Sequence, residues 1–211
     1  MISEILIIVS FVLILLGLIG VRTRNVKRKL LFLFVTTLGM LLLPFSQRNP
    51  LGILGGVWQT VFQIPELFCF ILLILSLCRQ NGIQRIEELA GVRQRAPYVY
   101  ASGVVFAIAA LGVPGTGTFI GYLYSALGLM TGGFNIFGYV GLAGIVLGTA
   151  VSAAIIFSIL KSAYLPGGQK QKLSTKAGMI FVFLAFLVIL CCVFQNQVVA
   201  WIVTPLGKIF S

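Results

Sequence analysis

Ala109-Ala110-Leu111-Gly112-Val113-Pro114-Gly115-Thr116-Gly117-Thr118-Phe119-Ile120-Gly121-Tyr122 is the stretch on which the fold turns. Apolar sequence flanks Pro114 on both sides, so a helix enters the membrane, stops, and starts again. Proline has no amide hydrogen, and Gly112, Gly115 and Gly117 relax the backbone, so this spacing predicts a break. In lipid the freed carbonyls and amides need partners, and the break must face protein or a wet cavity. Broken helices near the bilayer midplane recur in ion and substrate transporters. A simple kink, or a hairpin between two short helices, fits the same residues, and the rest of the chain has to decide.

The 211 residues are 59% hydrophobic and 9% charged, with a mean hydropathy of +1.11, which leaves little for a soluble domain. Histidine is absent, which removes the usual axial ligand of membrane haems and the commonest proton shuttle. Cys69, Cys78, Cys191 and Cys192 lie in or beside apolar runs without CxxC spacing. They read as buried hydrophobes, with neither a disulfide framework nor a metal site indicated. The net charge of +11 sits in loops between apolar spans, so membrane orientation explains it and nucleic acid is not an expected partner. The run Ile5–Ile19 carries Glu4 before it and Arg22 and Arg24 after it, and reads as an uncleaved first span.

Hydropathy predicts an all-α polytopic membrane protein, a single transmembrane domain over 1–211 with six spans. They are roughly Ser3–Val21, Lys29–Phe45, Leu51–Cys78, Pro97–Met130 (the broken one), Ile136–Leu165 and Ala177–Val203. Charge then tests the break. If the fourth span is one interrupted helix, basic residues divide thirteen to two, with only Arg48 and Lys208 on the minority side. If Pro114 marked a hairpin between two full spans, the division would fall to ten against five. The positive-inside rule favours the interrupted span, with both termini on the outer side. Between spans three and four, Ile83, Ile86, Leu89 and Ala90 predict a short surface helix ending at Gly91, and Gly167–Lys176 forms a second basic loop placed to meet anionic lipid headgroups.

Several of these residues also carry a family likeness. Glu88-Leu89-Ala90-Gly91-Val92, then Pro97, an apolar stretch, and Gly112-Val113-Pro114-Gly115-Thr116-Gly117-Thr118-Phe119-Ile120-Gly121 resemble the antiporter-like, proton-translocating membrane subunits of complex I, Mrp-type antiporters and membrane-bound hydrogenases. Asn25-Val26-Lys27-Arg28 is similar to that family's Asp-x-Lys-Arg helix entry, and Ala163-Tyr164 to its Arg-Ala-Tyr ending. The resemblance implies half of an antiporter-like inverted-repeat fold, about the last six of fourteen helices, with the N-terminal repeat missing. Where the family commonly has a glutamate or lysine after the last glycine of the broken helix, this chain has Tyr122, which is neutral at physiological pH. Gln63 stands where a histidine is common, and Asn25 replaces the motif's aspartate. The backbone-shaping residues are kept while titratable groups are lost.

Glu66, just after Pro65, is the acid well inside a span. It reads either as a proton carrier or as a neutral acid in an interhelical hydrogen bond or a subunit contact. Lys27 and Lys161 read as ion-path residues or as interfacial anchors. Gln59, Gln63, Thr116, Thr118, Tyr122 and Tyr124 line a water-holding seam or simply pack, and the small residues of span five, Gly138 to Ala154, favour close helix approach. No phosphate loop, catalytic triad or metal cluster is present in the pattern, so no bound cofactor and no catalysis by the chain alone are expected. The resemblance implies a truncated, partly degenerate subunit of a redox-driven ion translocase, in an energy-coupling membrane such as a prokaryotic cytoplasmic membrane. There it would bridge or seal full-length antiporter-like and complex-I-like or hydrogenase-like subunits and contribute part of a half-channel. A self-assembling small ion transporter and a non-conducting assembly factor are the alternatives.

Overall fold

The computed structural model describes residues 2–46, 49–131, 136–167, 175–195 and 197. Among these, nine α-helices account for nearly all of the regular structure: α1 (Ile2–Arg22), α2 (Val26–Phe45), α3 (Pro50–Trp58), α4 (Ile64–Asn81), α5 (Val92–Arg95), α6 (Pro97–Ala110), α7 (Gly117–Thr131), α8 (Ile136–Tyr164) and α9 (Thr175–Val193). The fold class is the expected one. Helices α1, α2, the 32-residue run Pro50–Asn81 and α8 are long and apolar enough to cross a membrane. The second helix begins at Val26 rather than Lys29, capped by the Asn25 side chain on the Arg28 amide. The end of the sixth expected span and Lys208 lie outside the described residues.

The fourth span is broken as the proline predicts. At 14 and 15 residues, α6 and α7 are each too short to cross about 30 Å of hydrocarbon. Between them the chain turns with Gly112 at φ 71° and Gly115 at φ 100°, conformations that a side chain disfavours. Thr116 then restarts the helix, its hydroxyl oxygen accepting from the Phe119 amide at 3.3 Å.

The third span is continuous but not uniform. Gln59–Gln63 forms a π-helical turn between α3 and α4. Its cause is Pro65, which donates no hydrogen bond and crowds the carbonyl four residues back, so the preceding turn widens by one residue. Gln59, Gln63 and Glu66, spaced four and three residues apart, share one buried face.

Three loops meet at one end of the bundle. The Val26 amide donates to Gln84 O at 2.9 Å, Ile86 N to Arg24 O at 2.9 Å, and Gly91 N to Leu165 O at 2.8 Å. The ends of α1, α4 and α8 therefore lie together, as a single interrupted span requires, and gather the arginines and lysines there. The segment 83–90 differs from the expected surface helix. Ile86–Leu89 is a 3₁₀ turn, and Ile83, Ile86 and Leu89 are buried in the core with Leu33, Phe70 and Ile159. The Glu88 carboxylate accepts from the amides of Gln84 (2.7 Å) and Arg85 (3.2 Å), which holds its carboxyl below the ordinary range. That stabilisation is present above the unfolded glutamate value of about 4.3 and is lost as pH falls through the lower folded value. Hydrogen exchange at the Gln84 amide, corrected for the intrinsic rate, is expected to lose protection on acidification. Glu88→Gln should remove that pH dependence.

Candidate functional site

Along the contact between the third span and α7 runs a polar ladder. Glu66, Gln63 and Gln59 project from α4 and the π turn, while Thr118, Tyr122 and Ser125 project from α7 at helical spacing in the opposite direction. Thr118 Oγ1 donates to Glu66 Oε2 at 2.8 Å, Gln63 Nε2 to the Tyr122 hydroxyl at 2.6 Å, and Gln59 Nε2 to Ser125 Oγ at 2.9 Å. Glu66, Gln63 and Gln59 are 3%, 2% and 0% exposed, so these groups are taken out of lipid and paired with each other. Cys192 Sγ on α9 lies 3.9 Å from the second Glu66 oxygen. Beyond the last rung, Asn49 Nδ2 donates to Gly128 O at 2.6 Å, extending the polar contact to the start of α3. From Asn49 to Glu66 is about 25 Å of helix at 1.5 Å per residue.

Hydrogen-bond direction fixes what the ladder leaves over. The Ser125 hydroxyl donates its proton to Gly121 O at 2.7 Å, so it can only accept from Gln59. Gln59 must therefore present its amide nitrogen to Ser125, and its Oε1 is left buried without a partner. One turn on, Gln63 Nε2 donates to the Tyr122 hydroxyl at 2.6 Å. Gln63 Oε1 is again buried and unpartnered. A buried acceptor without a donor costs about 1–3 kcal/mol, a debt that an ordered water removes.

On the other side of Glu66 the polar file stops. Leu67, Phe70, Leu73, Ile74 and Leu77 of α4 pack with Phe106 of α6 and with α8 in a closed apolar core. The candidates Lys27 and Lys161 are exposed at the basic end and do not join the ladder. Of the other seam candidates, Tyr124 packs near the Trp58 ring, 6.5 Å between centroids, and Thr116 caps α7. Of the break residues, Gly117 is buried against the Phe62 ring, whereas Val113, Pro114 and Gly115 lie at the chain's surface.

Lys29 is the residue that the sequence did not single out. It is 2% exposed, and its Nζ donates to Val21 O at 3.0 Å and to Ser158 Oγ at 2.9 Å, tying α1, α2 and α8 together without an ion pair among the described residues. The signal was available: Lys29 shares a helical face with Leu33, Thr36 and Met40, all buried. Ser125 and Cys192 were missed as well, and of the four cysteines expected to be buried only Cys78 is, Cys69 and Cys192 being half-buried and Cys191 exposed.

The sequence profile of the family described as NADH:quinone oxidoreductase/Mrp antiporter, TM matches residues 1–148. The chain belongs to this family. It is 21% identical over 201 residues to "NADH-quinone oxidoreductase subunit N" of Desulforudis audaxviator, covering 87% of this chain and 39% of that protein. It is 29% identical over 160 residues to "NADH-quinone oxidoreductase subunit N 2" of Sorangium cellulosum, covering 74% of this chain and 31% of that one. In fold it is similar to a chain of an archaeal membrane-bound sulfane sulfur reductase (TM-score 0.81, 21% identity, 93% of this chain and 40% of that one). A chain of the Mrp complex from Dietzia sp. is also similar (TM-score 0.78, 13% identity, 93% and 45%). The chain thus spans less than half the length of these relatives. Antiporter-like membrane subunits of complex I and Mrp complexes are what it is related to, and its helical bundle corresponds to a part of that larger subunit.

Proposed function

We propose that this chain acts within a complex-I-related or Mrp-related ion-translocating membrane assembly. In this reading its polar ladder is one half-channel, ending on Glu66, and the apolar core beyond seals that channel within this chain. The observation that carries the reading is the pair of buried carboxamide oxygens, Gln59 Oε1 and Gln63 Oε1, which call for water donors between the start of α3 and Glu66. Water there gives protons a file to the one carboxylate buried at mid-span.

The break supports a bridging role. Irregular backbone at membrane depth is tolerated only against protein or water, and Val113–Gly115 lie on the outside of this chain. A neighbouring membrane subunit, full-length antiporter-like, complex-I-like or hydrogenase-like, would meet that requirement. The basic end faces the cytoplasm in this reading, because thirteen of fifteen basic residues belong to it. Cofactors are left to the partners.

Glu66→Gln tests the proposal in the intact assembly. The amide oxygen still accepts from Thr118, so the fold and subunit composition should be retained. Ion translocation should nevertheless fall by about tenfold or more, the scale on which a positioned proton-transfer group acts. Glu66→Asp should recover part of it. Full translocation by Glu66→Gln would reduce the ladder to a structural contact.

A further inference from the structure

At the basic end a cleft of about 560 Å³ opens between the start of α2 and the end of α4, lined by Lys27, Leu75, Cys78, Arg79, Gly82, Ile83 and Gln84. Its two charged lining residues are both cationic. Neither Lys27 nor Arg79 forms an ion pair or side-chain hydrogen bond among the described residues, and both are exposed. The nearest acids are committed elsewhere: Glu88 accepts the Gln84 and Arg85 amides, and Glu87 lies 3.8 Å from Arg24. Two like charges facing one cleft, with no acid in its wall, favour an anion.

What lies below the cations says what kind of anion. On α2, Lys27 heads the stripe Leu31, Phe34, Leu38, spaced four, three and four residues apart and 58%, 41% and 37% exposed. On α4, Arg79 heads Leu75, Leu72, Phe68 with the same spacing, Leu72 and Phe68 being 38% and 56% exposed. These spacings keep each stripe on one helix face. The two helices run antiparallel, so both stripes descend from the cleft into the membrane, each about 16 Å long. That is a polar head over two apolar tracks. We propose that the cleft binds an anionic phospholipid, its phosphate between Lys27 and Arg79 and its acyl chains along the α2 and α4 stripes. Basic hollows between helices at a membrane's charged face suit such headgroups.

The test uses the chain in the membrane assembly with which it purifies, exchanged into nanodiscs of phosphatidylcholine with increasing phosphatidylglycerol. Native mass spectrometry and retained-lipid analysis should show about one phosphatidylglycerol held per chain. In Lys27→Gln/Arg79→Gln its binding should weaken about thirty-fold, each cation near an anionic surface contributing a factor of about five. Arg22→Gln/Lys161→Gln removes the same charge from the same end and should leave it unchanged. Equal weakening in both double variants would mean diffuse attraction and overturn the cleft. Displacement of the lipid by millimolar inorganic phosphate would show that the acyl tracks contribute nothing, which also overturns the assignment. So would a cross-link from Arg79→Cys to a neighbouring subunit in place of lipid. None of these outcomes depends on Glu66.

Discussion

Gly55→Leu and Gly128→Leu are each expected to destabilise the bundle by about 3 kcal/mol or more, at or beyond the upper end for overpacking a close contact. Helices α3 and α7 cross backbone to backbone. A Cβ on Gly55 would sit 2.5 Å from the Ser125 amide nitrogen, and one on Gly128 would sit 2.6 Å from Gly52 Cα. Neither neighbour is a flexible side-chain tip, so the only relief is to push the helices apart. Separation would break the Gln59–Ser125 rung and leave further buried polar groups unpaired. Reversible unfolding in detergent or bicelles checks the magnitude. Gly103→Ala is the control, since the nearest atom to its added Cβ is 3.7 Å away, on the flexible Leu73 side chain. Similar losses at Gly103 and Gly55 would mean that the crossing is not tight.

Lys29→Glu should be comparably damaging, at about 3–5 kcal/mol, the cost of leaving a buried charge without its partners. The lysine ammonium now donates to Val21 O and Ser158 Oγ, and the Ser158 proton is already spent on Ile155 O. A carboxylate in its place would face acceptors. Lys29→Met keeps the stem's volume and removes the charge, so it should cost less than about 1.5 kcal/mol, as volume-conserving swaps do. The order Glu far below Met, in thermal unfolding or in the fraction assembled in the membrane, is the outcome to check. Equal stability of the two variants would place Lys29 in water rather than in the bundle.

Both predictions turn on how helices are rotated against each other, and this marks how far the sequence could be read. The break was legible because Pro114, Gly112 and Gly115 act on their own backbone, through a missing amide and positive φ. The shared end of α1, α4 and α8 was legible because charge is excluded from lipid, whichever helices carry it. Gln59, Gln63, Thr118 and Tyr122 could be named for a seam, together with Thr116 and Tyr124 that do not join it, and Glu66 as a buried acid, because a polar side chain inside an apolar span must find a partner. Their pairing could not. Gln59, Gln63 and Glu66 share a helix face by their spacing of four and three residues, as do Thr118, Tyr122 and Ser125, but which of these faces meet, and in what register, is set by the packing of the two helices.

Lys27 and Lys29 make the same point at closer range. Two residues apart in one basic cluster, they look alike in sequence, yet one is exposed in a cleft and the other is 2% exposed among three helices. Composition, hydropathy and backbone chemistry, which belong to each segment separately, determined the class of protein, its broken helix and its basic end. Which side of each helix is buried, and so which polar groups meet and which acceptors are left over, was decided only by tertiary packing. A helix's rotation is set by the partners it touches, through glycine contacts such as Gly55 on Ser125 and Gly128 on Gly52, and those partners are distant in the chain.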